Sequence, residues 1–434
     1  MSYIHRRQAL KLLALAAGSA ACSASLSART LSAAQTPRIA RDDEAFLDDL
    51  IRQGCLYFWE QGHPATGQVL DRSRNDLNGA RDPRRMASIA ATGFGLTALC
   101  IADHRGYVPY SQVVDRVRTT LDWHLNHLPE VHGFFYHFSD VETGRRWRRS
   151  ELSSIDTSIL LCGIQTARAY FADARIQSLA QQLYERVDWP WMLNDGQAFA
   201  MGWFPDSGFI PGRWSHYCEL MMIYLLAIGS PTHPVSPEHW NSFTRPVIDY
   251  AGMSFIGGND PIFTHQYSHA WFDFRHKRDG YADYFANSRV ATRAHKAFCL
   301  SMPKWYSNNY WGITASDSIH GYTVWGGPPS RGLIDGTVVP SAAAGSLPFL
   351  PGECLSVLRS LRAKYPQAWG RYGFLDAFHP SANWYNPDVL GIDLGISVLM
   401  AENLRSELVW QTFMRNPEAD RAMRLVGFHP DSLA

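Results

Sequence analysis

No sign of charge dominates this chain of 434 residues: Lys plus Arg and Asp plus Glu number 40 each, so the formal net charge is zero. Nucleic acid and anionic membranes, which are bound through an excess of cations, are therefore not expected as the main partner. Long apolar runs are also missing. Leu12 to Ala21 is the apolar stretch near the amino terminus, and it is too short to span a bilayer. Cysteine is scarce, seven in all, with no CxxC pair. Apart from Cys22, the cysteines (Cys55, Cys100, Cys162, Cys218, Cys299 and Cys354) adjoin apolar or aromatic residues. Buried free thiols are expected, in preference to a disulfide framework or a zinc site. No HExxH occurs. His265 and His269 have helical i,i+4 spacing but no third ligand nearby, so they are expected to face a ligand or serve the fold, and neither metal nor cofactor is expected. The run Gly326 to Gly332, GGPPSRG, lacks the strand, helix and lysine of a phosphate loop and is read as a pocket edge.

Aromatic side chains are abundant: 22 Phe, 19 Tyr and 15 Trp. Many fall in loops rich in Gly and Pro instead of on periodic faces, which points to a ligand surface more than to a core. The stretch Trp203 to Pro234 shows this best. Its first half is an irregular loop carrying Trp203, Phe204, Trp214 and Tyr217, flat rings suited to stacking on the C–H faces of sugars. Its second half, Leu220 to Ile228, is apolar on every side and reads as a fully buried helix. Glu219 stands at the junction. A carboxylate there either caps exposed N–H groups or does chemistry at the mouth of a cavity.

Amphipathic helices are expected over Asp42 to Trp59, Ser111 to Leu128, Ile176 to Val187, Pro237 to Tyr250 and Gly352 to Tyr365. Apolar helices alternate with them, over Ala87 to Ala102, Ser154 to Phe171 and Leu220 to Ile228, followed by helices over Ala282 to Leu300, Leu394 to Trp410 and Pro417 to Val426. Half-buried helices outside and fully buried ones inside make an all-α, single-domain (α/α)6 toroid the expected fold, spanning about residues 42–430. Period-two runs are few, which argues against a β architecture. No fixed-period repeat occurs, which argues against the rival α-solenoid. Long loops precede the buried helices, at 133–149, 188–215, 257–280 and 368–392, and inner helices of a toroid run parallel. Asp156, Glu219 and Asp393 are thereby expected around one mouth.

The amino terminus reads as an address. His5-Arg6-Arg7-Gln8-Ala9-Leu10-Lys11 before the apolar run resembles a twin-arginine export signal, giving a signal and spacer over residues 1–34 and a periplasmic or secreted protein. An ordinary secretory signal and a lipid anchor at Cys22 are the lesser readings.

Glycosidic hydrolysis needs one carboxyl that donates a proton to the leaving oxygen and one carboxylate that activates water or attacks. Glu219, in aromatic surroundings, suits the acid, and Asp393, between Gly391 and Gly395, suits the base. Asp156 is the third candidate. Each of these acids has a helix cap as its alternative reading.

Several segments resemble the bacterial glucoamylase-like family that includes β-1,2-glucanases. They are ELSSIDTSILLCG from Glu151, YCELMMIYLLAIGSPTHP from Tyr217, HQYSHAWFDFR from His265, YFANSRVATRAHKAFC from Tyr284, WGITASDS from Trp311, YGFLDAF from Tyr372 and GIDLGISVLMAEN from Gly391. The resemblance implies an (α/α)6 fold, no metal, and hydrolysis of β-glucans, with β-1,2 linkages the best-defined case and inversion the expected outcome. It implies acidic roles for Glu219 and Asp393 with Asp156 close by. The same segments and the aromatic loop supply substrate-binding candidates: Glu151, Trp203, Trp214, Tyr217, His269, Arg275, Trp311, Asp317 and Phe378. Two departures touch this region. Ser215-His216-Tyr217-Cys218 stands where the family has Asp-Gly-Tyr-Asn, and Leu394-Gly395-Ile396 replaces Gln-Gly-Pro. A polysaccharide lyase, a sugar epimerase or a non-catalytic glycan-binding protein on the same toroid are the rival readings. A monomer with an oligo- or polysaccharide partner is expected.

Overall fold

Fourteen helices and a set of short β-ribbons make up the computed structural model, which describes residues 39–258 and 261–431. The expected export segment, with Arg6, Arg7 and Cys22, lies outside the described residues. The first helix, α1 (Arg41–Gln61), opens with Asp42, Asp43 and Glu44, which suit the positive end of its dipole, and buries Phe46, Leu47, Leu50, Ile51 and Phe58. Then follow α2 (Ile89–His104), α3 (Tyr110–Asn126), α4 (Ser154–Tyr170), α5 (Ala174–Glu185), α6 (Trp189–Leu193) and α7 (Met221–Gly229). The second half contributes α8 (Tyr267–Trp271), α9 (Tyr284–Leu300), α10 (Pro340–Ala344), α11 (Pro351–Lys364), α12 (Gly391–Ser406), α13 (Leu408–Phe413) and α14 (Pro417–Leu425).

The alternation expected from hydropathy is the packing rule of the fold. Every residue of α2 from Ile89 to Ala102 is buried, as is all of α7, whereas α3 and α5 bury one stripe each. The apolar α2 packs between α4 and α12, and α4 continues to α7. Small residues set the closest approach. A Cβ on Gly163 would come within 2.0 Å of the Gly93 carbonyl oxygen, and one on Gly93 within 2.4 Å of the Ile159 oxygen. Backbone therefore rests on backbone where α2 meets α4, and only glycine permits it.

Short ribbons pin the entrances of three inner helices. Met86–Ser88 pairs with Phe138–Asp140 just before α2, Leu152–Ser153 with Gly202–Phe204 just before α4, and Arg72–Arg74 with Asp388–Leu390 just before α12. The long loops thus reach the inner helices at defined positions.

Several elements differ from expectation. Pro237 to Tyr250 is a 3-10 turn, Pro237–Asn241, followed by a strand, Val247–Tyr250, because Pro246 cannot continue a helix and Val247-Ile248 favour extended backbone. The helix expected over Leu394 to Trp410 is two, α12 and α13, divided at Glu407, which takes a φ of 62°. The five-residue helices α8 and α10 carry too few turns for a periodicity to show. As expected, Cys55, Cys100, Cys162, Cys218, Cys299 and Cys354 are buried free thiols. Among the described residues no helix is long and apolar enough to cross a membrane.

Candidate active site

Three acids stand where inner helices begin, but each is used differently. Glu219 lies in the turn just before α7 and is half-buried. The cap of α7 comes from α8: the Ser268 hydroxyl accepts the Met222 N–H at 3.1 Å and donates to the Glu219 carbonyl at 2.7 Å. The Glu219 side chain lines an open cavity of about 450 Å³ with Trp214, His216, Phe263, Val324 and Arg331. Arg331 belongs to the loop read as a pocket edge.

Asp156, in the first turn of α4, is not the cap that its alternative reading described, because Ser153 caps the helix. The Ser153 hydroxyl accepts the Asp156 N–H at 3.2 Å and donates to the Asp156 carboxylate. Its other oxygen lies 3.5 Å from Nε2 of His137, whose Nδ1 is 3.0 Å from Glu151. Burial disfavours the imidazolium, but the Asp156 charge and the Glu151 hydrogen bond outweigh it and raise the His137 pKa to about 9. That hydrogen bond in turn lowers the Glu151 carboxyl below its ordinary value. Among the described residues, His137, Glu151 and Asp156 are the group whose ligand-type atoms converge, within 4.8 Å of one another. A protonated imidazole already fills the place that a cation would take, so the trio is read as an ion-paired cluster.

Asp393, in the first turn of α12, is only 7% exposed. It faces Asp376, Ser341 and Ser397 in a void of about 20 Å³. Burial raises its pKa to about 6, with the neighbouring Asp376 and Ser341 pulling down and the Asp317 and Asp71 charges pushing up. Gly391 and Gly395 do not open a path to it. A Cβ on Gly395 would meet the Phe94 ring at 2.3 Å and one on Gly391 would meet Ala91 at 2.7 Å, so both glycines serve helix packing. The ribbon before α12 brings in a cation. Arg72 donates to Asp317 at 2.7 Å and to Asp71 at 3.3 Å, while the Asp71 carbonyl accepts the Gly391 N–H at 2.8 Å.

Glu219 and Asp393 line different cavities. Near both is Tyr267, 4% exposed at the start of α8. Burial raises its phenol far above the ordinary value, and the charges of Asp393, Glu219 and Asp156 add to the rise, so all three acids lie within electrostatic reach of one hydroxyl. A larger cavity, about 980 Å³, lies elsewhere, along α1 beside Trp369 and Arg371. It touches the acidic cluster only at Leu375 and Asn386, so volume alone does not mark the chemistry.

Among the substrate-binding candidates, Trp214, Asp317 and Glu151 are in this region. Trp214 lines the Glu219 cavity and its indole N–H donates to Ser154 at 2.8 Å. Others pack or pair within the fold. Trp203 pairs with Leu152 in a ribbon and meets Trp191 edge-on at 5.7 Å. Tyr217 is fully buried and stacks on Tyr284 at 5.9 Å. Trp311 and Phe378 are 0% exposed, Phe378 stacking on Tyr385. His269 is buried beside Ser288. Arg275 bridges Asp273 and Glu407. Glu407 follows the last turn of α12, about 21 Å along the helix from Asp393 at 1.5 Å per residue, so Arg275 belongs to the opposite end. Sequence reasoning missed His137, Asp71, Arg72, Tyr267 and Asp376. The available signal was an ionisable residue inside an otherwise apolar or aromatic run, as in Gly373-Phe374-Leu375-Asp376-Ala377-Phe378.

A family model described as "Putative glucoamylase" matches residues 211–417, which hold both Glu219 and Asp393. Over that stretch the chain is similar to glucoamylase-like proteins. It is 27% identical over 430 residues to an "Exo beta-1,2-glucooligosaccharide sophorohydrolase (non-reducing end)" of Parabacteroides distasonis, covering 88% of this chain and 58% of that protein. The chain thus spans under two thirds of the curated relative it matches. Among solved structures, an endo-β-1,2-glucanase of Chitinophaga pinensis, in complex with sophorotriose and glucose, superposes with a TM-score of 0.82 at 26% identity, covering 90% of this chain and 99% of that one. A glucoamylase-type protein of Bacteroides uniformis superposes at 0.83 and 27% identity, covering 91% and 98%. These neighbours bear out the helical toroid class expected from sequence.

Proposed function

We propose that the protein is a glycoside hydrolase that cleaves β-glucan, with β-1,2-glucan as its substrate, by inversion. The carrying observation is the contrast between two carboxyls that both act on the Tyr267 hydroxyl. Glu219 opens on a cavity with Trp214 in its wall, and Asp393 is enclosed with a pKa raised to about 6. Two carboxyls in different environments are what an acid and a base require. Glu219 donates to the leaving glycosidic oxygen, and Asp393 takes the proton of the attacking water. Because Asp393 is nearly enclosed, that proton travels through a substrate hydroxyl instead of passing directly from a water held between base and sugar.

The relatives named for β-1,2-glucan hydrolysis support this reading, and so does the character of the pocket. Asp71, Glu151, Asp156, Asp317, Asp376 and Asp393 crowd the region, which would repel the uronates that a lyase neutralises with cations. Purified protein incubated with a panel of linear and cyclic glucans, with products followed by chromatography, tests the reading. Release of sophoro-oligosaccharides that stops in Glu219→Gln is the expected result, and intact glucans throughout would overturn it. The reading includes export. Arg6→Lys with Arg7→Lys is expected to retain the protein in the cytoplasm, and unimpaired export would remove the twin-arginine assignment. It also takes the enzyme to be a monomer, which sedimentation tests.

A further inference from the structure

We propose that Asp376 and Asp393 act as one unit, two buried carboxyls sharing a single proton between Asp376 Oδ1 and Asp393 Oδ2, with Asp376 the positioning residue for the base. The catalytic half of this inference rests on the hydrolase reading above, and the sharing itself does not.

Asp376 is 3% exposed and sits between the Gly373–Phe374 and Phe378–His379 strands. Its Oδ2 accepts the Asp317 N–H at 2.8 Å and the Asn386 amide at 3.3 Å. Among the described residues, Oδ1 receives no N–H or O–H, and neither does Oδ2 of Asp393. Both carboxyls line the 20 Å³ void, which has room for one water at most. A buried carboxylate oxygen with no donor is costly, and two facing each other as anions are worse. One proton between them satisfies both at once.

The surroundings cannot supply that proton's charge by other means. From α1 the void receives Leu50, and from α10 it receives Pro340 and Ser341. Asp317 and Asp71 add negative charge, Arg72 is held by those same two acids, and Tyr267 and Tyr322 are neutral phenols whose ionisation the acids oppose. In the direction of its shift, Asp376 is held well above the ordinary carboxylate range by burial and by Asp393. The unit therefore carries one negative charge at neutral pH. Asp393 presents it to substrate, and the shared proton fixes the orientation of both groups.

The test is thermal unfolding of the full chain across about pH 5 to pH 8, comparing wild type with Asp376→Asn. An acid whose folded pKa is raised gives stability that is complete below its unfolded pKa and is lost as pH rises through the folded one. Asparagine keeps the donor toward Asp393 and has no proton to retain. Its Tm relative to wild type is expected to climb steadily with pH. A Tm difference independent of pH would mean that Asp376 is an ionised acceptor for Asp317 and Asn386, and would overturn the sharing. Asp393→Asn is expected to give the same climb, and the double variant no further one, so the test stands if one variant folds poorly. No substrate enters these arms, which separates their failure from failure of the glucanase reading. With substrate, Asp376→Leu, which removes the donor, is expected to move the acid limb of kcat/KM up by about one pH unit, and Asp376→Asn is expected to restore it. An unmoved limb in Asp376→Leu would overturn the positioning role.

Discussion

Glu219 and Asp393 stand at the openings of two inner helices, and their surroundings have little in common. Around Glu219 the wall is a loop, aromatic and open to a 450 Å³ cavity, and the helix behind it is capped from another element by Ser268. Around Asp393 the wall is helix and ribbon, enclosing a 20 Å³ void, with a second carboxyl against the first. The difference shows how one architecture makes two unlike acids. A carboxyl supported by loop backbone stays within reach of ligand and solvent, whereas one set into helix packing is desolvated and depends on its neighbours for its charge.

The largest expected effect is on turnover. Glu219→Gln and Asp393→Asn are each expected to lower kcat by a factor of about 10² to 10⁴, as removal of a general acid or base does, Glu219→Gln with little change in melting temperature. Near-full activity in either variant would remove that residue from the chemistry and end the comparison. The two walls should then differ in pH response. Asp393 must be ionised to act as base, so kcat/KM is expected to fall about tenfold per unit below an apparent pKa near 6. A flat acid side would mean that the enclosed wall is not the base.

His137 sharpens the contrast from a third position. Its pKa is raised to about 9 by Asp156 and Glu151 against the cost of burial, so its charge contributes stability that is complete below the unfolded value near 6.5 and is lost as pH rises through about 9. His137→Gln is expected to cost at most about 3 kcal/mol at pH 6 and nearly nothing from this source above pH 10, measured by urea unfolding. A cost that does not change with pH would make the ion pair incidental.

A smaller effect separates two tryptophans that the sequence treats alike. Trp214 lines the Glu219 cavity and Trp203 packs on Trp191. Trp214→Ala is expected to raise KM by a factor corresponding to about 1–3 kcal/mol, by analogy with stacking of bases on aromatics. Trp203→Ala should lower Tm and leave KM alone, and equal KM effects would contradict the placement. The smallest expected effect is none: dialysis against EDTA should leave activity unchanged, because protonated His137 already occupies the one converging donor group among the described residues. Activity lost to EDTA and restored by a divalent cation would overturn that assignment.

Much of the scaffold was legible before any coordinates, because it follows from local pattern. An all-round apolar run such as Leu220 to Ile228 can only be an inner helix, and the single apolar stripe of Ser111 to Leu128 can only be an outer one. Glu219, Asp156 and Asp393 were readable for the same reason: an acid just ahead of an apolar helix stands out. Pro237 to Tyr250 misled because its apolar spacing imitated a helix while Pro246 forbade one. What the sequence could not state is which acid meets which. Asp376 lies 17 positions from Asp393, and Arg72 is separated from Asp317 by 245, so their contacts depend on ribbons and helix ends brought together by the toroid. Burial and pairing set the charge of a carboxyl, and both are properties of its three-dimensional neighbours. Sequence therefore set the helices and named the candidate acids; only the tertiary structure decided that Asp156 is held by the Ser153 cap and His137, that Arg275 stands at the far end, and that Asp393 shares its site with Asp376.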